Sequence, residues 1–413
     1  MLLIAKKSRI DAGSSSVAEN RWHIVIAAVL VQLCFGAIYS WGVFLNPLMV
    51  AFNTDKAEVS IIFTLVVIFY TIGMIIGGLW QDQTGPRNVM LVGGLCFGIG
   101  YILAGFAGSL QIVYLTYGVL GGLGVGLGYI CPIAVCTKWF PDRKGLAVGL
   151  AVTGFGAGSL IFSPLANAMI TNWDWSLAFR SLGLIFMVII LIASRYLKNP
   201  PTGWQSSQVL TTDAGNVGDD ILDIKWKQML KTIDFWMLWI IFCFSASAGL
   251  MIIGHMAAFV EEVGFSKENS AFILGIMAVF NGLGRIVWGT FSEKIGRLKS
   301  LICIFLQLGL VIAGLIIAKS YLSILLTAVV VGINFGGIIS IFPSLTEEKF
   351  GAKNLGLNYA LLFTAYGIAG IIGPYCGAVV LDRFNNYAII FAGGALLAML
   401  SALIAHFGLN IKK

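Results

Sequence analysis

Twelve apolar stretches, each about long enough to cross a bilayer as a helix, take up most of this 413-residue chain. They fall near 24–50, 60–80, 89–107, 112–136, 146–170, 177–197, 235–260, 270–291, 300–318, 323–345, 357–381 and 387–407. A hydrocarbon core about 30 Å thick takes roughly 20 helical residues to cross. Inside it only a helix or a closed barrel satisfies its own backbone, and runs this long predict helices. The composition points the same way. Hydrophobic residues make up 58% and charged residues 11%, where soluble domains carry about 25% charge. That excludes a soluble enzyme, a nucleic-acid reader and a disordered chain. The seven Cys lie in apolar runs and read as small buried hydrophobes, with no metal-ligand spacing among them.

Charge sets the orientation. With the N-terminus in the cytoplasm, 20 of the 26 Lys and Arg fall on the inner side. Five (Lys56, Arg180, Lys267, Lys319 and Arg383) fall on the outer side. By the positive-inside rule both termini are then cytoplasmic, as an even number of spans requires. The net charge of +7 follows from this bias and needs no nucleic-acid partner. Residues 198–234 are the one long polar connection. They divide the chain into a tail at 1–21, a six-helix bundle at 22–197, the linker, a second six-helix bundle at 235–407 and a tail at 408–413. The expected fold is an all-α membrane protein of 12 transmembrane helices in two pseudo-symmetric bundles.

An internal repeat supports the division. Span 2 runs out through Gly78, Asp82, Gly85 and Arg87; span 8 runs out through Gly289, Glu293, Gly296 and Arg297. The acids stand 211 positions apart. At the same offset Phe155-Gly156 answers Tyr366-Gly367. An acid at a helix end with an Arg in the following tight turn can tie neighbouring helices together, so these residues are expected to form a gate at the cytoplasmic face. In span 4, Gly118, Gly122 and Gly126 have the small-xxx-small spacing of close helix contact. No strand precedes that run, so it is not a phosphate loop.

The loop after span 2, with its relic after span 8, resembles the signature of the major facilitator superfamily, and the resemblance extends over about 22–410. Three stretches are similar to the oxalate/formate antiporter family: Gly36-Ala-Ile-Tyr39-Ser-Trp41, Lys138-Trp-Phe-Pro-Asp-Arg-Lys-Gly145-Leu146 and Asn281-Gly-Leu-Gly-Arg285. That family includes bacterial oxalate, formate, pyruvate and lactate carriers. The resemblance implies the major facilitator fold, a prokaryotic inner-membrane location and transport of a small organic anion.

Arg285 is the one base inside a span, and no acid lies in the middle of any span. It stands eight residues before Glu293, about 12 Å along a helix, near the midplane of the bilayer. An Arg at that depth costs at least about 2.5 kcal/mol, so it should face a wet cavity and a partner. With no fixed acid available, the simplest partner is a transported anion, whose carboxylate matches the guanidinium fork. A structural Arg held by backbone carbonyls is the competing reading. The position 211 residues earlier is Met74, so the charge is no part of the repeated scaffold. Asn281 lies one turn before Arg285 on the same helix face and either orients it or binds substrate.

By resemblance, Tyr39, Tyr129, Phe335 and Tyr366 match site positions of the family, and the Arg equivalent to Arg285 holds the substrate carboxylate. At Tyr366 the oxalate-binding member carries a lysine. One cation in place of two implies a monocarboxylate and counts against oxalate. His255 and Glu262, towards the outer end of span 7, are the candidates for coupling a proton. The expected protein is a monomeric carrier that moves a small organic anion with a proton or against a counter-anion. No cofactor, metal or catalytic residue is expected. An Arg left bare without cargo would resist closure, which suits exchange. The rival readings are an oxalate:formate-type exchanger, an anion channel and a non-transporting sensor.

Overall fold

The computed structural model describes residues 21–201, 223–317 and 320–409. The tails expected before Arg21 and after Leu409, the heart of the linker at 202–222, and Lys319 lie outside the described residues. Twelve helices among the described residues are long and apolar enough to cross a membrane. The first six are α1 (Trp22–Phe52), α2 (Lys56–Thr84), α3 (Pro86–Ala104), α4 (Leu110–Trp139), α5 (Lys144–Asn172) and α6 (Trp175–Ser194). The second six are α7 (Ile233–Glu262), α8 (Lys267–Ile295), α9 (Arg297–Gly314), α10 (Tyr321–Phe350), α11 (Leu355–Phe384) and α12 (Tyr387–Gly408).

Helix starts follow local chemistry. Side-chain oxygens of Asp55, Thr232 and Ser266 accept from backbone N–H groups of the first turns of α2, α7 and α8, which have no intrahelical acceptor. The turns after α2 and α8 need a left-handed backbone, and Gly85 (φ 88°) and Gly296 (φ 94°) supply it.

The two halves repeat the same packing. In the first, α1 lies on α5, α2 on α4 and α3 on α6; in the second, α7 lies on α11, α8 on α10 and α9 on α12. The glycines of α4 explain how closely it docks. Gly118, Gly122 and Gly126 face α2, with Gly126 against the main chain of Tyr70, while Gly124 and Gly128 face α3 and α1. Two helices are irregular: α1 tightens to a 3₁₀ turn at Ala37–Trp41, and α4 widens to a π-helical stretch at Tyr114–Gly121.

Across the halves, α2 packs on α11 and α5 on α8. Gly78 lies against the main chain of Gly356, and Gly145 against that of Gly289, with no room for a Cβ at either crossing. These two crossings are images of each other under the 211-residue repeat. Both lie at the end of the molecule that carries Arg21, Leu409 and the linker, here called the terminal face.

Two expectations need correction. Cys303 and Cys376 are exposed on α9 and α11 and Cys96 is half-buried; only the other four cysteines are buried. Arg87 is exposed and makes no ion pair among the described residues. Pro86 occupies the place that Arg297 takes in the second half, and this displaces Arg87 by one residue.

Candidate functional site

Arg285 projects from α8 into the seam between the halves and is 6% exposed. Its Nε donates to Asn281 Oδ1 at 3.1 Å, one turn earlier on the same helix. One terminal nitrogen donates to the carbonyl of Val152 on α5, in the opposite half. The guanidinium rests on Gly156, where a Cβ would stand 3.1 Å from its central carbon. Among the described residues no carboxylate pairs with it. The bare cation expected from sequence therefore has two neutral acceptors, one of them supplied by the other bundle. Both acceptors are uncharged, so they partly offset the desolvation of the guanidinium without neutralising its charge.

Around Arg285 the halves contribute a ring of aromatic side chains. Tyr39, Tyr70, Tyr129 and Phe155 come from α1, α2, α4 and α5; Ile339, Phe363 and Tyr366 come from α10 and α11. Tyr39 packs edge-on to Phe155 (5.4 Å between centroids), as Tyr129 does (4.9 Å). Phe363 stacks on Tyr366 (4.9 Å) and reaches across the seam to Tyr129 (5.7 Å). The cavity they line is about 10 Å³, room for about one water. A larger groove, about 620 Å³, lies between α9 and α10. It is lined by Leu310, Ile317 and Thr327 among others, and its lining among the described residues is uncharged.

The predicted residues separate into groups. Arg285, Asn281, Tyr39, Tyr129 and Tyr366 come together. Phe335 stands behind Tyr366 (6.4 Å) and packs on Gly249. His255 is buried inside the second half, where its Nε2 donates to the Pro374 carbonyl at 3.1 Å, and it does not line the cavity. Glu262 is exposed at the far end of α7. Tyr70, Phe155, Ile339 and Phe363 were not singled out from sequence as site residues. The repeat carried a signal for two of them: Tyr70 is 211 positions from Asn281, and Phe155 is 211 positions from Tyr366.

The motif at the terminal face forms two matched latches. Asp82 on α2 accepts from the backbone N–H groups of Gly356 (3.0 Å) and Leu357 (2.9 Å), at the N-terminus of α11. Glu293 on α8 accepts from the N–H of Gly145, at the N-terminus of α5. Each acid meets the positive end of a helix in the opposite half. Arg297 braces the second latch, 3.7 Å from Glu293 and 3.2 Å from Glu348. Lys144 reaches Glu347 across the seam at 2.9 Å. Among the described residues no cluster of His, Cys, Asp or Glu is arranged to hold a metal ion.

Two six-helix halves joined at one face around a central polar site define a transporter, and the chain belongs to the Major Facilitator Superfamily, whose profile matches residues 24–374. It is a multi-pass membrane protein and a transporter, not an enzyme. Among its relatives, the oxalate:formate antiporter of Oxalobacter formigenes is 29% identical, covering 97% of this chain and 95% of its own. Monocarboxylate transporter 13 of Rattus norvegicus is 28% identical, covering 94% of this chain and 89% of its own. The solved structure of the proton:xylose symporter XylE shares the fold with a TM-score of 0.70 at 16% identity, covering 93% of this chain and 95% of that one.

Proposed function

We propose that this transporter is a secondary active carrier of a small monocarboxylate of the lactate, pyruvate or formate class. It works as a proton-coupled monomer in a prokaryotic inner membrane, with both termini cytoplasmic and the cargo carboxylate held on Arg285. The observation that carries this reading is a buried guanidinium, in the seam between the bundles, whose described partners are all neutral. The names of the relatives agree: one carries oxalate and formate, the other monocarboxylates.

The geometry suggests how such a carrier would work. Hydrogen bonds that cross the seam, donated by Lys144, Thr153 and Arg285 and accepted by Asp82 and Glu293, run from the site to the terminal face. This face is closed, and on the charge count it is cytoplasmic. An anion arriving from the opposite side would take the Val152 carbonyl's place on Arg285 and cancel its charge. That lowers the cost of enclosing the site as Tyr39 and Tyr129 close against Tyr366. The gate formed by Gly78, Asp82, Gly85, Glu293 and Arg297 then opens. We assign the accompanying proton to His255 and Glu262, on the outer half of α7.

The 29% identity to an oxalate:formate antiporter favours a second reading, an exchanger that also accepts oxalate. Among the described residues, Arg285 is the one charged residue lining the cavity, where a dicarboxylate calls for two cations. Purified protein in liposomes, offered labelled formate, lactate, pyruvate, acetate and oxalate while internal pH is followed, separates the two. The reading expects monocarboxylate uptake with internal acidification. Oxalate favoured over every monocarboxylate overturns it.

A further inference from the structure

Tyr70 has a buried hydroxyl without a hydrogen-bond partner. Its side chain is 6% exposed, its oxygen bonds to none of the described residues, and it lines the cavity that holds Arg285. A polar group buried in this way is costly unless something satisfies it. Neighbouring hydroxyls do not. Those of Tyr39 and Tyr366 interact with one another, that of Tyr129 comes near Tyr70, which has no hydrogen bond of full geometry, and that of Tyr359 is itself unpartnered.

The ring also has little freedom to turn elsewhere. Behind it, the main chain of Tyr70 is pressed against Gly126. Around it stand Tyr129 at 5.4 Å, Phe155 at 6.3 Å and Phe363 at 6.1 Å. A hydroxyl held this firmly at the edge of a binding cavity is completed by the guest. The 211-residue repeat places Tyr70 opposite Asn281, which has its partner in Arg285. Of these two matched positions, one from each bundle, one therefore serves the cation and the other remains available to cargo.

We propose that Tyr70 is a specificity-determining residue that hydrogen-bonds an oxygen on the α-carbon of the cargo, so that the carrier selects 2-hydroxy- and 2-oxo-monocarboxylates over their unsubstituted counterparts. This rests on the monocarboxylate reading above. With the carboxylate on Arg285, the α-carbon is the next atom into the ring of tyrosines. A phenol can donate to a ketone and can either donate to or accept from an alcohol, so both oxidation states fit. Cargo lacking that oxygen leaves the Tyr70 hydroxyl buried and unpaired, and such sites discriminate more sharply than apolar ones.

Lactate and propionate differ by this one hydroxyl and make the test. In liposomes containing the full chain, lactate should show a KM at least about tenfold below that of propionate. Tyr70→Phe, which keeps the ring and its packing, should abolish the difference, bringing the lactate KM level with the propionate KM measured in the same variant. A purely structural tyrosine would change both substrates together. Equal KM values in the unmutated protein, or a lactate preference that survives in Tyr70→Phe, overturn the inference while leaving the monocarboxylate reading intact. Absence of uptake for every monocarboxylate overturns both.

Discussion

Asp82→Asn isolates one latch without changing its shape. In the unmutated chain the Asp82 carboxylate accepts from Gly356 at 3.0 Å and Leu357 at 2.9 Å. Helix α11 begins at Leu355, so both amides belong to its first turn and have no intrahelical acceptor. An asparagine amide can still accept one of these bonds through its oxygen but turns an N–H2 group towards the other. The loss of one charge-assisted hydrogen bond is worth roughly 1.5–3 kcal/mol, and the lost attraction of a negative charge to a helix N-terminus adds about 0.3–1 kcal/mol. Taking about 2 kcal/mol as the lower part of that range, the opening equilibrium of this latch rises roughly thirtyfold. Hydrogen–deuterium exchange followed by mass spectrometry reads this directly, because exchange at 356–357 reports local opening. We expect exchange there to accelerate about thirtyfold, with the Gly145 region unchanged. Glu293→Gln should do the reverse. Unchanged exchange at 356–357 in Asp82→Asn, or an equal rise throughout both bundles, would refute the latch.

Further expectations follow from other contacts. Gly145→Val places its side chain against the Gly289 carbonyl and the Arg297 guanidinium; it should hold the terminal face open, seen as a longer distance between spin labels at Thr84 and Lys353. Gly126→Ala inserts a methyl group against the main chain of α2 and should cost about 1–3 kcal/mol of stability, read as a lower thermal midpoint in detergent. Asp142→Asn weakens a two-pronged bond with Arg21 (2.6 and 2.7 Å); it should lower the midpoint by a similar amount without altering cargo affinity. Gly156→Ala crowds the guanidinium of Arg285 and should weaken anion binding while leaving the helical content unchanged by circular dichroism.

Span number and the pairing of the halves were legible because both rest on local pattern: runs of about 20 apolar residues and a skeleton repeated at a fixed offset. The latch acids were legible for the same reason, but their partners were not. The sequence places Arg87 beside Asp82, yet the acid's partners across the seam are two amides 274 and 275 residues away, brought there by the Gly78–Gly356 crossing. Arg285 stood out because charge is rare at its depth. Its second acceptor, the Val152 carbonyl, carries no sequence signal at all, since every residue has a carbonyl. Tyr70 and Phe155 look like ordinary aromatic residues of an apolar helix. Their role depends on which way the helix is turned, and that is set by the small faces of α4 and α1 packed against them. His255 shows the converse, a conspicuous residue that tertiary packing commits to the Pro374 carbonyl.

Arg285 is the proposed seat of the carboxylate. Calorimetric titration of purified protein with lactate, comparing the unmutated chain with Arg285→Gln, tests this most directly. Removing one partner of a desolvated, charge-paired contact costs about 2–5 kcal/mol, so affinity should fall at least about thirtyfold. Affinity within about twofold of the unmutated chain would contradict it, since at so small a difference the guanidinium would contribute less than an ordinary hydrogen bond.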